Sequence, residues 1–231
     1  WMEILENLFK ILSQFRKYPK SVSIDDYNLM YETKTEERIN ELISSNEYFK
    51  QILEEDVLFI NGKKYHNWPV IKKQVELKIR DLYHEHDNCL IHGDLCFSNI
   101  FCDFKDKNFK LIDPRGKWGS DMCGDLKYDV AKLRHSIVGG FDTITNGLCS
   151  ASLSENNQIV MKIFKPKNHQ EVYRYLDELI QNQWNLNEIK LIEGLLFISM
   201  LPLHKDHFER QLAFYSIGIQ RLNEVLDETR G

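Results

Sequence analysis

No run of five or more lysines and arginines occurs in this 231-residue chain, and its formal net charge is -5 at pH 7. A protein held to nucleic acid mainly by phosphate neutralisation is basic, so the composition argues against that partner. Paired cysteines are lacking too: Cys89, Cys96, Cys102, Cys123 and Cys149 are odd in number and none forms a CxxC. That usage suits a reducing cytosol better than a disulfide framework or a thiolate zinc site. His84 and His86 form an HxH with no second ligand pair at metal-site spacing, and read as a solvated helix end. The longest apolar stretch, LIEGLLFISMLPL at 191–203, contains Glu193 and Pro202 and is too short to span a bilayer. The first helical pattern carries Glu3, Glu6, Lys10, Arg16 and Lys17 with no small-residue cleavage site, so no secretory leader is expected. The expected class is a cytoplasmic protein with no membrane span.

Hydrophobic residues make up 42% of the chain, enough for a substantial core. Apolar residues at Ile4, Leu5, Leu8, Ile11, Leu12 and Phe15 recur with helical spacing and predict a helix over 2–17. A second helix is expected from about Thr35 to Leu53, with Thr33 and Glu36 as a capping box. VLFINGKKYHNW reads as a hairpin turning at Asn61-Gly62, followed by a helix over about 69–84 with Asn67 as N-cap and Pro69 in its first turn. From Cys89 the pattern changes to the short apolar runs CLI, NIFC and FKLI, read as small buried strands carrying polar loops. Helix returns over 126–136, and a second hairpin is expected at 150–164, turning at SENNQ. Three helices near 168–182, 186–201 and 206–228 complete a mostly α chain with a small β insert. The expected organisation is one unit, 1–231: a helical subregion with a hairpin (1–88), strands carrying the polar loops (89–125), and a second helical subregion (126–231).

The stretch IHGDLCFSNI, residues 91–100, places His92, Asp94 and Asn99 within eight positions, and Asp113 follows the strand FKLI. If the strands on either side pair, their loop ends converge and bring two carboxylates and an amide to one edge. A few hard oxygen ligands of this kind suit a Mg²⁺ that keeps several waters and shares phosphate oxygens. A further carboxylate can orient a hydroxyl and accept its proton. Phosphoryl transfer needs little beyond such positioning and charge neutralisation.

HGDLCFSN resembles the H-x-D-x-x-x-x-N catalytic loop of the aminoglycoside phosphotransferase and choline kinase family, which is protein kinase-like. LIDPRG resembles that family's metal-binding segment, and GDLKYDVAKLRHS the helix that follows it. The resemblance covers about 45 residues directly and implies the C-terminal lobe of a kinase-like fold. It implies ATP and Mg²⁺ as cofactors and a small-molecule hydroxyl acceptor, a sugar or amino alcohol. IDPRG followed by GDLKYDVAKLRHS is similar to bacterial members associated with sugar and surface-polysaccharide biosynthesis. Asp94 would be the hydroxyl-orienting catalytic aspartate, and His92 would act with it by organising the loop. Asn99 and Asp113 would hold metal and, with Arg115, form the cofactor-binding set.

Two roles are open to Arg115: a fork for a substrate phosphate or carboxylate, or a salt bridge to Asp121 or Asp125 that orders the loop. Trp118 either lines the acceptor pocket or covers the core. Asp125 and Asp129 read as helix cap and loop anchor. In the family resembled, the region of Trp184, His204, Asp206, His207, Glu209 and Arg210 walls the acceptor site; taken alone, HKDHFER is a solvated turn. The family's N-terminal lobe has no counterpart here: there is no GxGxxG, and Lys162 in IVMKIFKPK follows the catalytic motifs and reads as an ordinary strand residue. The expectation is therefore a C-terminal portion whose nucleotide-binding lobe lies elsewhere in the polypeptide. The alternative is a non-catalytic nucleotide- or sugar-phosphate-binding module.

Overall fold

A computed structural model describes residues 1–103, 105, 108–119, 121–154 and 158–228. Helix α1, Met2–Phe15, buries Leu5, Leu8, Phe9 and Leu12, the stripe expected from the spacing. The single long helix expected over 35–53 is two helices, preceded by a helical run that the spacing did not predict. Ser23 caps α2, Ile24–Asn28, by accepting from the Asp26 amide; a π-helical turn follows at Leu29–Thr33, then α3, Lys34–Ser45, and α4, Glu47–Glu54. Thr33 lies inside this helical run with no capping bond, so the capping box does not form. The break falls at Asn46, whose side chain accepts from the Phe49 amide and starts α4 instead. Side-chain hydrogen bonding by Asn competes with helix propagation, and that competition was hidden inside an apolar pattern.

Strands β1, Val57–Ile60, and β2, Lys63–His66, form the expected hairpin, with Asn61 and Gly62 both at positive φ (51° and 78°). Helix α5, Trp68–Asp81, starts at the Asn67 cap and ends about three residues before the expected position. Strand β3, Asn88–Leu90, precedes the polar loop; β4, Ile100–Asp103, and β5, Asn108–Leu111, form an antiparallel pair. Two elements were not expected: β6, Cys123–Asp125, which pairs with β3, and the short α7, Phe141–Thr145, after α6, Leu126–Ile137.

Strands β7, Cys149–Leu153, and β8, Gln158–Ile163, form the second hairpin; positions 155–157 of its expected turn lie outside the described residues. Helices α8, His169–Gln181, α9, Leu186–Ser199, and α10, Phe208–Glu228, complete the chain, with a 3₁₀ turn at Leu201–His204 where Pro202 stops α9. The chain is thus mostly α with some β, and among the described residues no helix is long and apolar enough to cross a membrane.

The two hairpins do not stand apart. They join as one sheet in the order β2-β1-β8-β7, with β1 and β8 parallel and Ile60 opposite Ile159. Asn61 extends that seam: its side chain accepts from the Met161 amide at 2.8 Å and donates to the Met161 carbonyl at 3.0 Å. Beneath the sheet, α10 packs on α9 and α9 on α6, making the centre of one continuous core.

Asn67 ties this frame together. It is wholly buried, donates to the carbonyls of Ile52 and Glu55, and accepts from the Trp68 amide and the Tyr215 hydroxyl. Asn67→Ala removes a helix cap and strands a buried tyrosine hydroxyl, so it should cost about 3 kcal/mol. Urea denaturation should show a lowered midpoint at unchanged m-value.

Candidate functional site

The pairing of β4 with β5 sets Ile100 opposite Leu111, and just beyond them the Ile112 amide donates to the Asn99 carbonyl at 3.0 Å. Asn99 and Asp113 are thereby brought to the same end of one hairpin, the convergence expected from the sequence. Asp113 sits at φ 51°, a left-handed conformation unusual for a residue with a side chain, and its carboxylate is exposed. Asp94 lies in the preceding loop. Its Oδ2 accepts from Asn99 Nδ2 at 3.2 Å and its backbone carbonyl accepts from the same amide at 2.9 Å. Its Oδ1 receives Lys132 Nζ at 2.9 Å. Both oxygens are therefore held, while 42% of the side chain remains open to solvent.

His92 is buried with both ring nitrogens engaged: Nε2 lies 2.9 Å from the Ile112 carbonyl, and Nδ1 accepts the Asp94 amide at 3.3 Å. A carbonyl can only accept, so the arrangement fits the neutral tautomer with its proton on Nε2. Burial lowers the His92 pKa further. A neutral ring tied at both ends organises the loop, linking the segment of Asp94 to the segment of Asp113.

The loop hangs from α6. Asp129, fully buried, accepts the amides of His92 at 2.7 Å and Gly93 at 2.8 Å through its two oxygens. Gly93 has φ 76°, and a Cβ there would stand 2.8 Å from Cβ of Arg115, so the close approach of the two loops needs glycine. Asp125 caps α6 by accepting the Lys127 amide and also takes the hydroxyls of Tyr27 and Tyr31. Burial raises the Asp125 pKa to about 6 and that of Asp129 to about 7. Lys132 is buried as well; Tyr128 and Asp94 together outweigh the cost of burying its charge, and its pKa is raised.

Arg115 makes neither of the salt bridges open to it: its guanidinium lies over the Trp118 ring, 3.7 Å from the centroid, and Asp121 instead faces Lys20 at 3.8 Å. Trp118 is buried, as a core-covering residue would be, and it also lines a cleft of about 320 Å³ with Lys34, Glu37, Arg38, Glu41, Arg115 and Lys117. The C-terminal candidates are spread out: Trp184 donates to Asp87, while Arg210 reaches His204 and the Thr145 carbonyl. Lys162 lies over Phe164 on the hairpin. His84 contacts Glu188 and stacks on His86.

Sequence reading passed over Lys132 and Lys34. Lys132 had a usable signal, because Asp125, Asp129 and Lys132 recur at intervals of four and three and so share one face of α6. Lys34 had none, since its position depends on the π turn before it. The Asn99 Oδ1 and the Asp113 carboxylate have no hydrogen-bond partner among the described residues, where no cluster of three or more His, Cys, Asp or Glu side chains is placed to hold a metal ion; a cation here would have two oxygen ligands from these residues and take the rest from water or phosphate. The chain matches no family model, no curated protein and no solved structure.

Asp129 binds its proton more tightly folded, at about 7, than an ordinary unfolded aspartate at about 3.9. Its contribution to stability is therefore full below about pH 4 and is lost as pH rises through about 7. Asp129→Asn puts an amide donor against two N–H groups and should be less stable than wild type by about 1–3 kcal/mol at pH 5. The gap, followed by urea midpoints, should narrow toward pH 8.

Proposed function

We propose that this chain carries the catalytic loop of an ATP-dependent small-molecule phosphotransferase, moving the γ-phosphate to the hydroxyl of a sugar or amino alcohol. The observation that carries the reading is the meeting of Asp94, Asn99 and Asp113 at the open end of the β4–β5 hairpin, with Asp94 pinned by Lys132 and Asn99. Motif resemblance and side-chain geometry support the same assignment independently of each other.

In this reading the Asp94 carboxylate accepts a hydrogen bond from the acceptor hydroxyl and aligns its oxygen with the γ-phosphorus. A bond forms between that oxygen and phosphorus, the bond to the β–γ bridging oxygen breaks, ADP departs, and the hydroxyl proton passes to Asp94. Lys132 and Asn99 hold the carboxylate in place, so little orientational freedom is left to lose during reaction. Asn99 Oδ1 and Asp113 would hold Mg²⁺, which when bound neutralises charge on the nucleotide phosphates. His92 positions the loop and moves no proton. The nucleotide-covering lobe expected from the resemblance would be supplied elsewhere in the polypeptide.

Asp94→Asn should lower transfer by about 10²–10⁴-fold, measured as multiple-turnover ADP release with ATP, Mg²⁺ and a panel of sugars and amino alcohols. The far-ultraviolet circular dichroism of the variant should not change. Undiminished turnover in this variant would sink the assignment. Calorimetric titration with ATP and Mg²⁺ should show binding that Asp113→Asn weakens about tenfold or more, equivalent to about 1.4 kcal/mol. Nucleotide binding without any acceptor-dependent ADP release would favour a non-catalytic binding module.

A further inference from the structure

The cleft beside the His92–Asn99 loop is lined by four cations, Lys34, Arg38, Arg115 and Lys117, against two carboxylates, Glu37 and Glu41. Arg38 is neutralised in part by Glu41, 2.8 Å away. Lys34, Arg115 and Lys117 have no ion-pair partner among the described residues. Lys34 Nζ touches only a hydroxyl and ring faces: it donates to Tyr128 Oη at 2.9 Å and lies 4.7 and 5.1 Å from the centroids of Tyr128 and Trp118. The Trp118 indole N–H, beside Gly93, is buried with no hydrogen-bond partner among the described residues. Half-buried Lys34, exposed Arg115 and Lys117, and the buried Trp118 N–H thus border one cavity with no protein anion paired to them among the described residues, and a buried donor such as the indole N–H is ordinarily paired.

We propose that this cleft is the acceptor pocket and takes a hydroxy compound bearing a phosphate or carboxylate, held by Lys34, Arg115 and Lys117 with its carbon frame against Trp118. The proposal rests on the phosphotransferase reading for the identity of the acceptor, but the anion site stands on its own geometry. Gly93 abuts Arg115 and directly precedes Asp94, so an anion on Arg115 and a hydroxyl on Asp94 belong to one molecule of modest size. The planar guanidinium offers paired donors to such an anion, and its stack on Trp118 holds the fork in place. Burial and the nearby charges of Lys132, Arg115 and Arg38 push the Lys34 pKa well down, a crowding that an anion would relieve. A quaternary ammonium acceptor would meet repulsion here, which separates this site from a choline-type pocket.

Inorganic phosphate is the minimal probe, titrated into the whole chain by calorimetry at low and moderate salt. Binding should weaken about tenfold or more in Arg115→Gln and again in Lys34→Gln, and should be unchanged in the distant Lys165→Gln. Arg115 is exposed, so its variant should keep the fold. Absence of phosphate binding, or binding that neither substitution alters, overturns the proposal. Displacement of the phosphate by ATP with Mg²⁺ also overturns it, because the cleft would then serve the nucleotide. Anion binding needs no transfer, so it holds or fails separately from the loss of turnover in Asp94→Asn.

Discussion

A single buried carboxylate suspends the loop that carries Asp94 and Asn99. Asp129 offers one oxygen to the amide of His92 and the other to that of Gly93, and Asp94 is the next residue along. Everything proposed for the site depends on that hold. It fixes the turn at Gly93, admits the Arg115 segment alongside it, and directs the Asp94 carboxylate toward Lys132 and Asn99. The hold works because α6 is rigid and buried from end to end, so the anchor cannot drift.

A buried helix that carries Lys127, Asp129, Lys132 and Arg134 is unusual, since each charge loses its hydration. Here each is answered by a partner from another element. Lys127 lies among the Leu82 carbonyl, Glu188, Asp87 and Asp125; Arg134 forks onto Asp177 and meets Glu193 of α9. Apolar residues of similar volume would pack with less desolvation. The ionic set gains directionality: each pair is satisfied only when α5, α8 and α9 are docked in one arrangement, and that arrangement places the loop. Asp94 is the most solvent-open of these carboxylate partners, at 42%.

Much of the fold was legible because it follows from local chemistry. Asn61-Gly62 marked a turn, Asn67 a cap and Pro202 a helix end, and each formed where its backbone preferences required. The break at Asn46 was not legible, since its local side-chain cap on the Phe49 amide competes with an apolar periodicity that runs through it, and no spacing announced the π turn at Leu29–Thr33 that leads into α3. Strand β6 escaped notice because CGD has no strand-like composition and is extended only by its pairing with β3. At the site, Asp94, Asn99 and Asp113 were visible as a spaced motif. Lys34 comes from a segment 60 residues before Asp94 and the cleft from two distant stretches of chain, 29–41 and 115–119, which no spacing rule encodes.

The parallel seam between β1 and β8 has a consequence for how the molecule is made. Ile60 meets Ile159 only after the intervening chain, including the whole 91–100 loop and α6, has been laid down. Loop-closure entropy opposes such distant contacts, so in folding they come late and slowly. On the ribosome, the first hairpin must wait with an unpaired edge until the second emerges, roughly ten seconds later at ordinary elongation rates. In the finished sheet β2 stays outermost, and its exposed Lys63 and Lys64 put charge beside that lasting edge, which discourages a strand from another chain from pairing there.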